Sequence, residues 1–531
     1  MILPFLAILP TLFWSEGPDT APQLRGTGIQ EIAVAPGSAA AWSGTKVKAV
    51  EVDPAKLQHL DSPGIDYQLG RAGATAVPWI NSSLWRTVRD PSKEFLYEVT
   101  GPSVALAVAE GYASNARTYI KLKSPDDIKA FSTAMGFLNG LAPESLPPRA
   151  NFTLIDDGSS EMEEVMNLMV RRNLLFTPAK PADAPTRGMV VRIGSGDYSK
   201  DAAADPYAFA AIVRSKITDA KRLVRLYGSE TTIARLYGDE KRARLHLIQY
   251  GRNSIDGVRV RVLGRYPRVL IAAMGQRLCP AEDIVIDESS TEFTIPTLRN
   301  YAVIDLDASP QQTLTSTFSA TELPLTADPS ASHWKTAPKV VITQNASGEP
   351  LRIGPTEVRS RWTRDALYLL YSAPYDQLYL HPNPVTDRDT PSLWDWDVAE
   401  AFIGSDFDNI GLYHELQVSP QGEWVDLEID VAHPKPAREG MKWNSGYQVK
   451  ARIDEAHKIW YGEMRIPLAA LAAKPLAAGD RLRLGLFRCT GMPPDRTYVS
   501  WQPAFRRSFH TPEAFGLLVL DKSAQQGANH R

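Results

Sequence analysis

Two tryptophans and three carboxylates lie within seven residues of one another, in the segment that runs from Trp394 to Glu400. A further indole, Trp501, follows much later beside turn-forming residues. Indole planes stack on the apolar C–H faces of a sugar ring, and carboxylates, amides and guanidinium groups bind its hydroxyls. The segment therefore predicts a site for a sugar, while the alternative for each tryptophan is packing in the core or at the edge of a β-sandwich.

The tryptophans are concentrated in the last part of the chain, and the strands of that part must position these residues. Eight of the twelve tryptophans follow residue 330, and a stretch rich in proline and polar residues at 323–332 precedes them as a candidate linker. Residues 333–521 contain about ten strand-and-turn segments in close succession. This pattern predicts an all-β, jelly-roll-like sandwich over residues 333–521.

The preceding residues divide into two further patterns. Residues 24–224 alternate strand-like and helix-like segments, which predicts an α/β domain with a mostly parallel sheet. Residues 225–320 contain short strands separated by turns, which predicts a small antiparallel β-domain of the sandwich type. The expected fold class is therefore a multidomain chain with an α/β domain, a small β-domain and a carboxy-terminal sandwich.

Composition excludes several classes of function. The 531 residues contain 58 Lys and Arg against 61 Asp and Glu, so the formal charge of −3 argues against nucleic-acid binding through a broad basic surface. An apolar run of about 18 residues is absent from the sequence, so no membrane-spanning helix is expected. Two cysteines, Cys279 and Cys489, are too few for a disulfide framework or a cysteine-based zinc site.

The amino terminus has the length of a secretory signal but lacks its charge pattern. Residues 1–14 are almost entirely apolar, yet neither Lys nor Arg precedes them, and Pro4 and Pro10 interrupt the run. We expect residues 1–17 to be a signal segment and the protein to be secreted or periplasmic. The alternatives are that these residues form a buried first strand or that the start codon is assigned wrongly.

Seven motifs of the last 190 or so residues occur in one order, and they resemble a known family. The motifs are LYLLYSAPYDQ, LWDWDVAEAFI, YHELQVSPQGEWVD, IWYGEMRIPLAAL, GDRLRLGLFR, VSWQP and FHTPEAFG. Together they resemble the family-9-like carbohydrate-binding modules, which are DOMON-like β-sandwiches, as they occur at the carboxy terminus of bacterial proteins.

The resemblance implies a function and a set of site residues. It implies carbohydrate binding in extracytoplasmic glycan breakdown, with an oligo- or polysaccharide as the partner. The sugar would be held between the rings of Trp394 and Trp501, with Glu400 and Arg488 binding its hydroxyls.

The resemblance also implies structural calcium, because some members of the family hold calcium ions in loops. Asp397 or Asp426 would serve here, although no loop carries a calcium-binding signature. No cofactor follows from the residues themselves.

Two rival functions remain open. The first is a divergent O-glycosyl hydrolase with its site in the α/β domain, where Asp156 and Asp157 end a strand. Neighbouring residues of a strand point to opposite faces, so these two form a poor acid–base pair, and Glu230 is isolated. Neither a GxSxG, an HExxH nor a phosphate-loop motif occurs. The second rival is a structural scaffold whose sandwich has no sugar site.

Overall fold

The computed structural model describes residues 8–69, 76–143, 145–196 and 198–521. It contains two compact units, a first unit over Met1–Ser309 and a second unit over Pro310–Arg531. Among the described residues, the helices are all too short or too polar to cross a membrane.

The first part of the first unit alternates strands with helices, as its sequence pattern predicts. Its strands are β1 (Thr11–Phe13), β2 (Glu31–Val34), β3 (Lys48–Glu51), β4 (Gln58–Leu60), β5 (Gly64–Leu69), β6 (Ala76–Asn81), β7 (Glu94–Val99), β8 (Arg117–Leu122), β9 (Phe152–Ile155), β10 (Phe176–Ala179) and β11 (Val190–Val191). Its helices are α1 (Ala21–Gly26), α2 (Leu84–Arg89), α3 (Ser103–Ser114), α4 (Ile128–Gly140), α5 (Ser160–Arg171), α6 (Lys200–Ala203) and α7 (Pro206–Ile217).

Six of these strands form one parallel sheet in the order β3-β2-β1-β8-β7-β4. The sheet is open, with β3 and β4 at its two edges, and its central pair joins β1 to β8, which are distant in the sequence. One face packs on the main core of the unit, and the other buries a small cluster formed by Phe13, Ala33, Leu57, Leu96 and Tyr119. Burial of both faces is typical of parallel sheets. A second parallel sheet has the order β10-β9-β11.

The expected signal segment contains an inner strand of this sheet. Leu12 of β1 pairs with Ile32 on one side and Ile120 on the other, and it is 1% exposed. Cleavage after residue 17 would remove β1 from between its two neighbours. This pairing favours the alternative for Thr11–Phe13, a buried first strand. The signal at 1–17 stays a prediction, and residues 1–7 lie outside the described residues.

The rest of the first unit is the small antiparallel β-domain. Its strands are β12 (Val224–Tyr227), β13 (Thr232–Gly238), β14 (Arg242–Gln249), β15 (Ile255–Leu263), β16 (Arg268–Ala273), β17 (Glu282–Ile286), β18 (Ser290–Leu298) and β19 (Tyr301–Asp307). They form two four-stranded sheets, β12-β15-β18-β17 and β13-β14-β19-β16, around one apolar core. The structure differs from the predicted boundary at residue 320, because residues 313–318 belong to the second unit.

The second unit is a two-layered β-structure. Its strands are β20 (Thr313–Phe318), β21 (Lys339–Ile342), β22 (Thr356–Trp362), β23 (Ala366–Pro374), β24 (Val398–Gly404), β25 (Leu412–Val418), β26 (Trp424–Asp430), β27 (Gln448–Asp454), β28 (Ile459–Pro467), β29 (Arg481–Thr490), β30 (Thr497–Ser500) and β31 (Gly516–Leu520). Its short helices are α8 (Ser332–Lys335), α9 (Ala437–Gly440) and α10 (Leu468–Leu471).

The strands of the second unit follow the order β26-β25-β24-β29-β31-β20-β22-β23-β28-β27, with β21 beside β22 and β30 beside β29. Strand β20 joins the two halves because it runs parallel to both β31 and β22. Apolar side chains of both halves, such as Leu369, Leu416 and Met464, meet in one core. Along β24, alternate residues face this core, which leaves Glu400 on the opposite face of the sheet.

The candidate linker at 323–332 is packed against the second unit. The buried carboxylate of Glu463 accepts hydrogen bonds from the backbone N–H groups of Thr326 (2.7 Å) and Ala327 (2.5 Å) and from the indole of Trp334 (3.0 Å). A buried carboxylate with three donors anchors this segment, so it is part of the sandwich.

Candidate functional site

Trp501 lies inside the sandwich. Its side chain is 1% exposed and belongs to the main core. The packing is close, since a Cβ atom on Gly516 would lie 2.6 Å from the indole ring. An indole in this position has no open face for a sugar ring, so the predicted clasp between Trp394 and Trp501 is wrong. The turn residues that follow Trp501 gave no sign of this burial.

Trp394 lies on the opposite side of the sheet from the core. It is part of a 3-10 turn, Leu393–Asp395, and its half-buried ring packs on Val398 and Cys489. The guanidinium of Arg496 donates to the carbonyl oxygen of Trp394 at 2.8 Å and also to those of Asp395 and Trp396. Three bonds from one guanidinium fix the shape of this turn, which we call the tryptophan corner (Trp394–Asp397).

Glu400 is buried beside a second carboxyl group, that of Glu415. Both accept hydrogen bonds from the amide of Gln417, at 3.2 Å for Glu400. Burial raises the pKa of Glu415 to about 7, and burial together with the charge of Glu415 raises the pKa of Glu400 well above its usual range. The pair therefore retains a proton near neutral pH. Glu400 is 2% exposed, so in this structure it does not reach a ligand in solvent.

Arg488 is also fully buried, on the inner side of β29. Burial lowers its pKa to about 10, with the nearby charge of Asp397 acting in the opposite direction. Its guanidinium donates to the hydroxyl of Thr490 at 3.0 Å. Asp397 in turn accepts from the backbone N–H of Gly491 at 2.7 Å and from the hydroxyl of Thr490 at 3.3 Å. Through these hydrogen bonds Arg488 and Asp397 hold the carboxy-terminal end of β29 in place.

A cavity of about 170 Å³ opens directly above this buried support. Its walls come from three places: the chain before β22, the segment after β23, and the turn between β29 and β30. The lining residues are Ile353, Asp376, Gln377, Leu378, Tyr379, Thr490, Gly491, Met492, Asp495 and Thr497. We call it the corner pocket because the tryptophan corner supports it.

The aromatic wall of the corner pocket is continuous with the tryptophan corner. The ring of Tyr379 stacks on that of Trp396, with centroids 4.5 Å apart and planes at 29°. On its other side Trp396 contacts His381, which lies 2.9 Å from Glu423. The backbone N–H of Asp397 also donates to the carbonyl of Tyr379 at 2.8 Å. A ring held this firmly provides a rigid surface for stacking.

The pocket also presents groups that bind hydroxyls. Asp376 and Asp495 supply acceptors, Gln377 supplies both kinds of group, and Thr497 supplies a hydroxyl, whereas the hydroxyl of Thr490 is already bonded to Arg488 and Asp397. The residue types that we inferred for the site are thus present, but at different positions. Sequence reasoning missed these five residues because two of the segments that carry them resemble ordinary turns. The available signal was the end of the motif LYLLYSAPYDQ, which contains Asp376 and Gln377.

Calcium binding through Asp397 or Asp426 does not fit the described residues. Both oxygens of Asp397 already have donors, as above. Asp426 has one buried oxygen without a hydrogen-bond partner, and its backbone N–H donates to Asp389 at 3.4 Å. Groups of three or more Asp, Glu, His or Cys suited to a metal do not occur within the described part of the chain. Two carboxylates are too few for an ion that takes six to eight oxygens.

In the first unit, the strand-end carboxylates bind the protein's own cations. Asp156, at the end of β9, accepts two hydrogen bonds from Arg89, at 2.7 and 2.9 Å, and Arg89 also binds Glu163 at 2.7 Å. Asp157 caps the following turn by accepting from Ser159, which lowers its pKa. A glycosidase acid needs a raised pKa, so Asp157 lacks the expected property of one, and the carboxylate of Asp156 is held by Arg89. Glu230 is exposed.

A raised carboxyl pKa does occur in the first unit, at Glu110 of α3, where burial is the main cause. Its carboxylate accepts from the hydroxyls of Tyr97 and Tyr250 at 2.5 Å each and from Ser82 at 2.6 Å. The side chain is completely buried, so it joins α3 to its neighbours and has no contact with solvent.

Comparison with known proteins finds no matching family description for the chain. A relative from Arthroderma benhamiae, named "Extracellular protein", is 25% identical over 178 residues, which cover 31% of this chain and 78% of the relative.

Two solved structures share a limited likeness in fold. A family-9 carbohydrate-binding module from Caldicellulosiruptor kristjanssonii in complex with cellotriose has 12% identity and a TM-score of 0.27, over 40% of this chain and 94% of the module. Alpha-L-fucosidase isoenzyme 2 from Paenibacillus thiaminolyticus has 10% identity and a TM-score of 0.32, over 55% of this chain and 71% of the enzyme. None of these values assigns the chain to a family.

Proposed function

We propose that the second unit binds carbohydrate and that the sugar occupies the corner pocket. The observation that carries the proposal is the pocket itself, which is lined by Tyr379, whose ring is supported by Trp396, together with two carboxylates, an amide and the hydroxyl of Thr497. An apolar plane beside several hydrogen-bonding groups matches the two kinds of surface that a sugar ring offers. The proposal keeps the function predicted from the sequence and changes the residues that perform it.

The size of the pocket limits what it can enclose. Its volume of about 170 Å³ is below the roughly 300–1,000 Å³ of pockets that enclose drug-sized ligands. One sugar ring is therefore the largest unit of a saccharide that we expect it to hold, with the remainder of the chain in solvent. This arrangement suits a terminal residue of an oligo- or polysaccharide.

The residues beneath the pocket act indirectly in this proposal. Arg488 and Asp397 orient Thr490 and Gly491, and Arg496 fixes the tryptophan corner on which Tyr379 stacks. They are positioning residues, because their side chains bond to the protein and not to the cavity. Trp501 contributes to the stability of the sandwich through its burial in the core.

The experiment is a calorimetric titration of the full-length protein with a panel of mono- and oligosaccharides. Replacing Tyr379 by alanine removes the stacking surface, so we expect affinity to fall about three- to tenfold, which corresponds to a loss of about 0.5–1.5 kcal/mol. Phe407→Ala is the matched control, since Phe407 is a half-exposed aromatic residue of the same unit outside the pocket.

Two results would contradict the proposal. One is the absence of binding to every saccharide of a broad panel. The other is binding by Tyr379→Ala with the affinity of the unmodified protein. The fluorescence of Trp396, whose ring stacks on Tyr379, gives an independent readout of ligand entry.

A role outside the cytoplasm, in glycan breakdown, is part of the same proposal. It is supported by the family resemblance of the sandwich motifs and by the name of the Arthroderma relative. Immunodetection of the protein in separated medium, periplasm and cytoplasm tests this location, and exclusive recovery from the cytoplasm contradicts it.

A further inference from the structure

We propose that the corner pocket selects a sugar that carries an ammonium group, that is, an amino sugar with a free amine. This inference rests on the proposed function and specifies its substrate class. The residues that line the pocket include two carboxylates, Asp376 and Asp495, and no Lys, Arg or His. A cavity bordered by charges of one sign attracts ligands of the opposite sign.

The two carboxylates come from different walls. Asp376 follows β23, whereas Asp495 lies in the turn between β29 and β30. A ligand ring in the cavity therefore meets carboxylates that are supplied by two separate segments. Its amine can therefore bind to a carboxylate while the ring contacts Tyr379.

Neither carboxylate forms an ion pair within the described part of the chain, since no basic nitrogen there lies within 4 Å of its oxygens. Some other surface carboxylates of the second unit are paired. For example, Glu357 binds Lys339 at 2.7 Å, and Asp454 binds His457 at 3.0 Å. The charges of Asp376 and Asp495 are available to a ligand.

The basic residues nearest to the pocket in sequence are directed elsewhere. Arg496, next to Asp495, bonds to the carbonyl oxygens of the tryptophan corner. Arg488 is buried below Thr490, and the ammonium of Lys458 lies 5.4 Å from the ring of Tyr375. Arg352 precedes Ile353, is exposed, and does not line the cavity. The charged side chains that line the pocket are therefore both carboxylates.

Exposed charges interact through water, so the expected selectivity is moderate. An ammonium group about 4 Å from such a carboxylate gains an attraction that corresponds to roughly tenfold in affinity, and salt screens it. We expect glucosamine to bind about tenfold more tightly than glucose, and glucuronic acid to bind more weakly than glucose. In about 1 M NaCl the differences should fall to less than about threefold.

The experiment measures the affinity of the full-length protein for glucosamine, N-acetylglucosamine, glucose and glucuronic acid. Calorimetry at about pH 6 keeps the amine of glucosamine protonated, and N-acetylglucosamine supplies nearly the same shape without its charge. The test variants are Asp376→Asn and Asp495→Asn, singly and together. Asp408→Asn is the control, since Asp408 is an exposed carboxylate of the same unit that does not line the pocket.

The outcomes separate this inference from the proposed function. Tighter binding of glucosamine that is lost in the double variant and kept in Asp408→Asn supports both. Equal binding of glucosamine, N-acetylglucosamine and glucose overturns the amino-sugar assignment and leaves carbohydrate binding standing. A preference for glucosamine that survives in the double variant also overturns it. No binding to any of the four sugars, or to the wider panel, overturns the proposed function itself.

Discussion

The carboxylates of the two units are used differently. In the first unit, Asp156 ends a strand at a place where α/β proteins often bind ligands, yet both of its oxygens accept from Arg89. In the second unit, Asp376 and Asp495 lie in turns and face a cavity without a cationic partner among the described residues. A carboxylate at a strand end is therefore not by itself an indication of a ligand site.

The aromatic residues of the second unit show the same contrast. Trp501 is enclosed by the core, and Tyr379 is supported from behind by Trp396 and lines the pocket. Both rings are held firmly, but only the second has somewhere for a ligand to bind. Variants of these and other residues test whether stability and saccharide binding depend on different side chains.

The largest effect is expected for Trp501→Ala. Truncating a buried aromatic side chain typically lowers the free energy of unfolding by about 3–5 kcal/mol, through lost burial and the cavity left behind. Scanning calorimetry should show the transition of the second unit shifted to lower temperature. Phe407→Ala, on the surface, should leave that transition within about 0.5 kcal/mol.

A Trp501→Phe variant separates a core role from a stacking role. If Trp501 packs the core, this variant retains most of the sugar affinity and loses part of the stability. A variant that keeps its thermal transition but no longer binds saccharide would show that Trp501 contacts the ligand, and the comparison would then fail.

Much of the architecture followed from the sequence because it depends on local patterns. Alternating apolar residues predicted hairpins such as β22–β23 and β25–β26, and the strand–helix alternation predicted the parallel sheets of the first unit. Burial of Trp501 depends on contacts with distant residues, including Gly516, and a pattern of neighbours does not specify these. For the same reason the pocket, which combines three separate segments, could not be read from any one of them.

The signal segment illustrates a further limit of local patterns. An apolar run at an amino terminus fits both a signal and a buried strand, because both require the same residue types. The observation that favours a buried strand is the pairing of Leu12 with Ile32 and Ile120, and Ile120 is more than a hundred residues away in the sequence. Local sequence patterns do not identify strand pairing between residues so far apart.

The second largest effect is expected from the buried pair Glu400 and Glu415, as a dependence on pH. The pKa of Glu415 in the folded state, about 7, lies above its value in an unfolded chain, so the folded protein binds more protons between about pH 4 and 7. The free energy of unfolding should therefore decrease as pH rises through this range, by about 3 kcal/mol.

Glu415→Gln tests this effect, because glutamine keeps the shape and cannot ionise. In this variant the decrease in unfolding free energy between about pH 4 and 7 should lose the share that Glu415 contributes, whereas burial keeps the pKa of Glu400 raised. Urea unfolding at several pH values measures it. An unchanged pH profile would show that the carboxylates are hydrated and not enclosed by the fold.

The next effect concerns the first unit and the ion pairs of Arg89. Arg89→Met keeps much of the length of the side chain and removes its bonds to Asp156 and Glu163. Hydrogen bonds to charged groups contribute about 1.5–3 kcal/mol, so we expect a loss of this order in the stability of the first unit. Saccharide affinity should be unchanged. If Arg89→Met instead weakened binding of a saccharide, Asp156 would be a ligand-binding residue, and the contrast between the units would disappear.

The smallest effect is expected at Asp389, whose carboxyl group lies beside that of Asp426. Burial, followed by the charge of Asp426, raises the pKa of Asp389 to about 6. The folded state holds this proton more tightly than the unfolded state, so the contribution to stability is present below about pH 4 and is lost as pH rises through about 6. Because Asp389 is partly exposed, solvent screening reduces the effect to the order of 1 kcal/mol.

Asp389→Asn should remove this loss and make the second unit about 1 kcal/mol more stable at pH 7 than the unmodified protein, as measured by urea unfolding. Calcium provides the opposing interpretation, since a bound cation would make both carboxylates stabilising. If added calcium raised the unfolding temperature of the unmodified protein but not that of Asp389→Asn, the pair would be a cation site completed by backbone oxygens. Asp389 and Asp426 would then join the unused charges of the corner pocket as groups that act on a ligand.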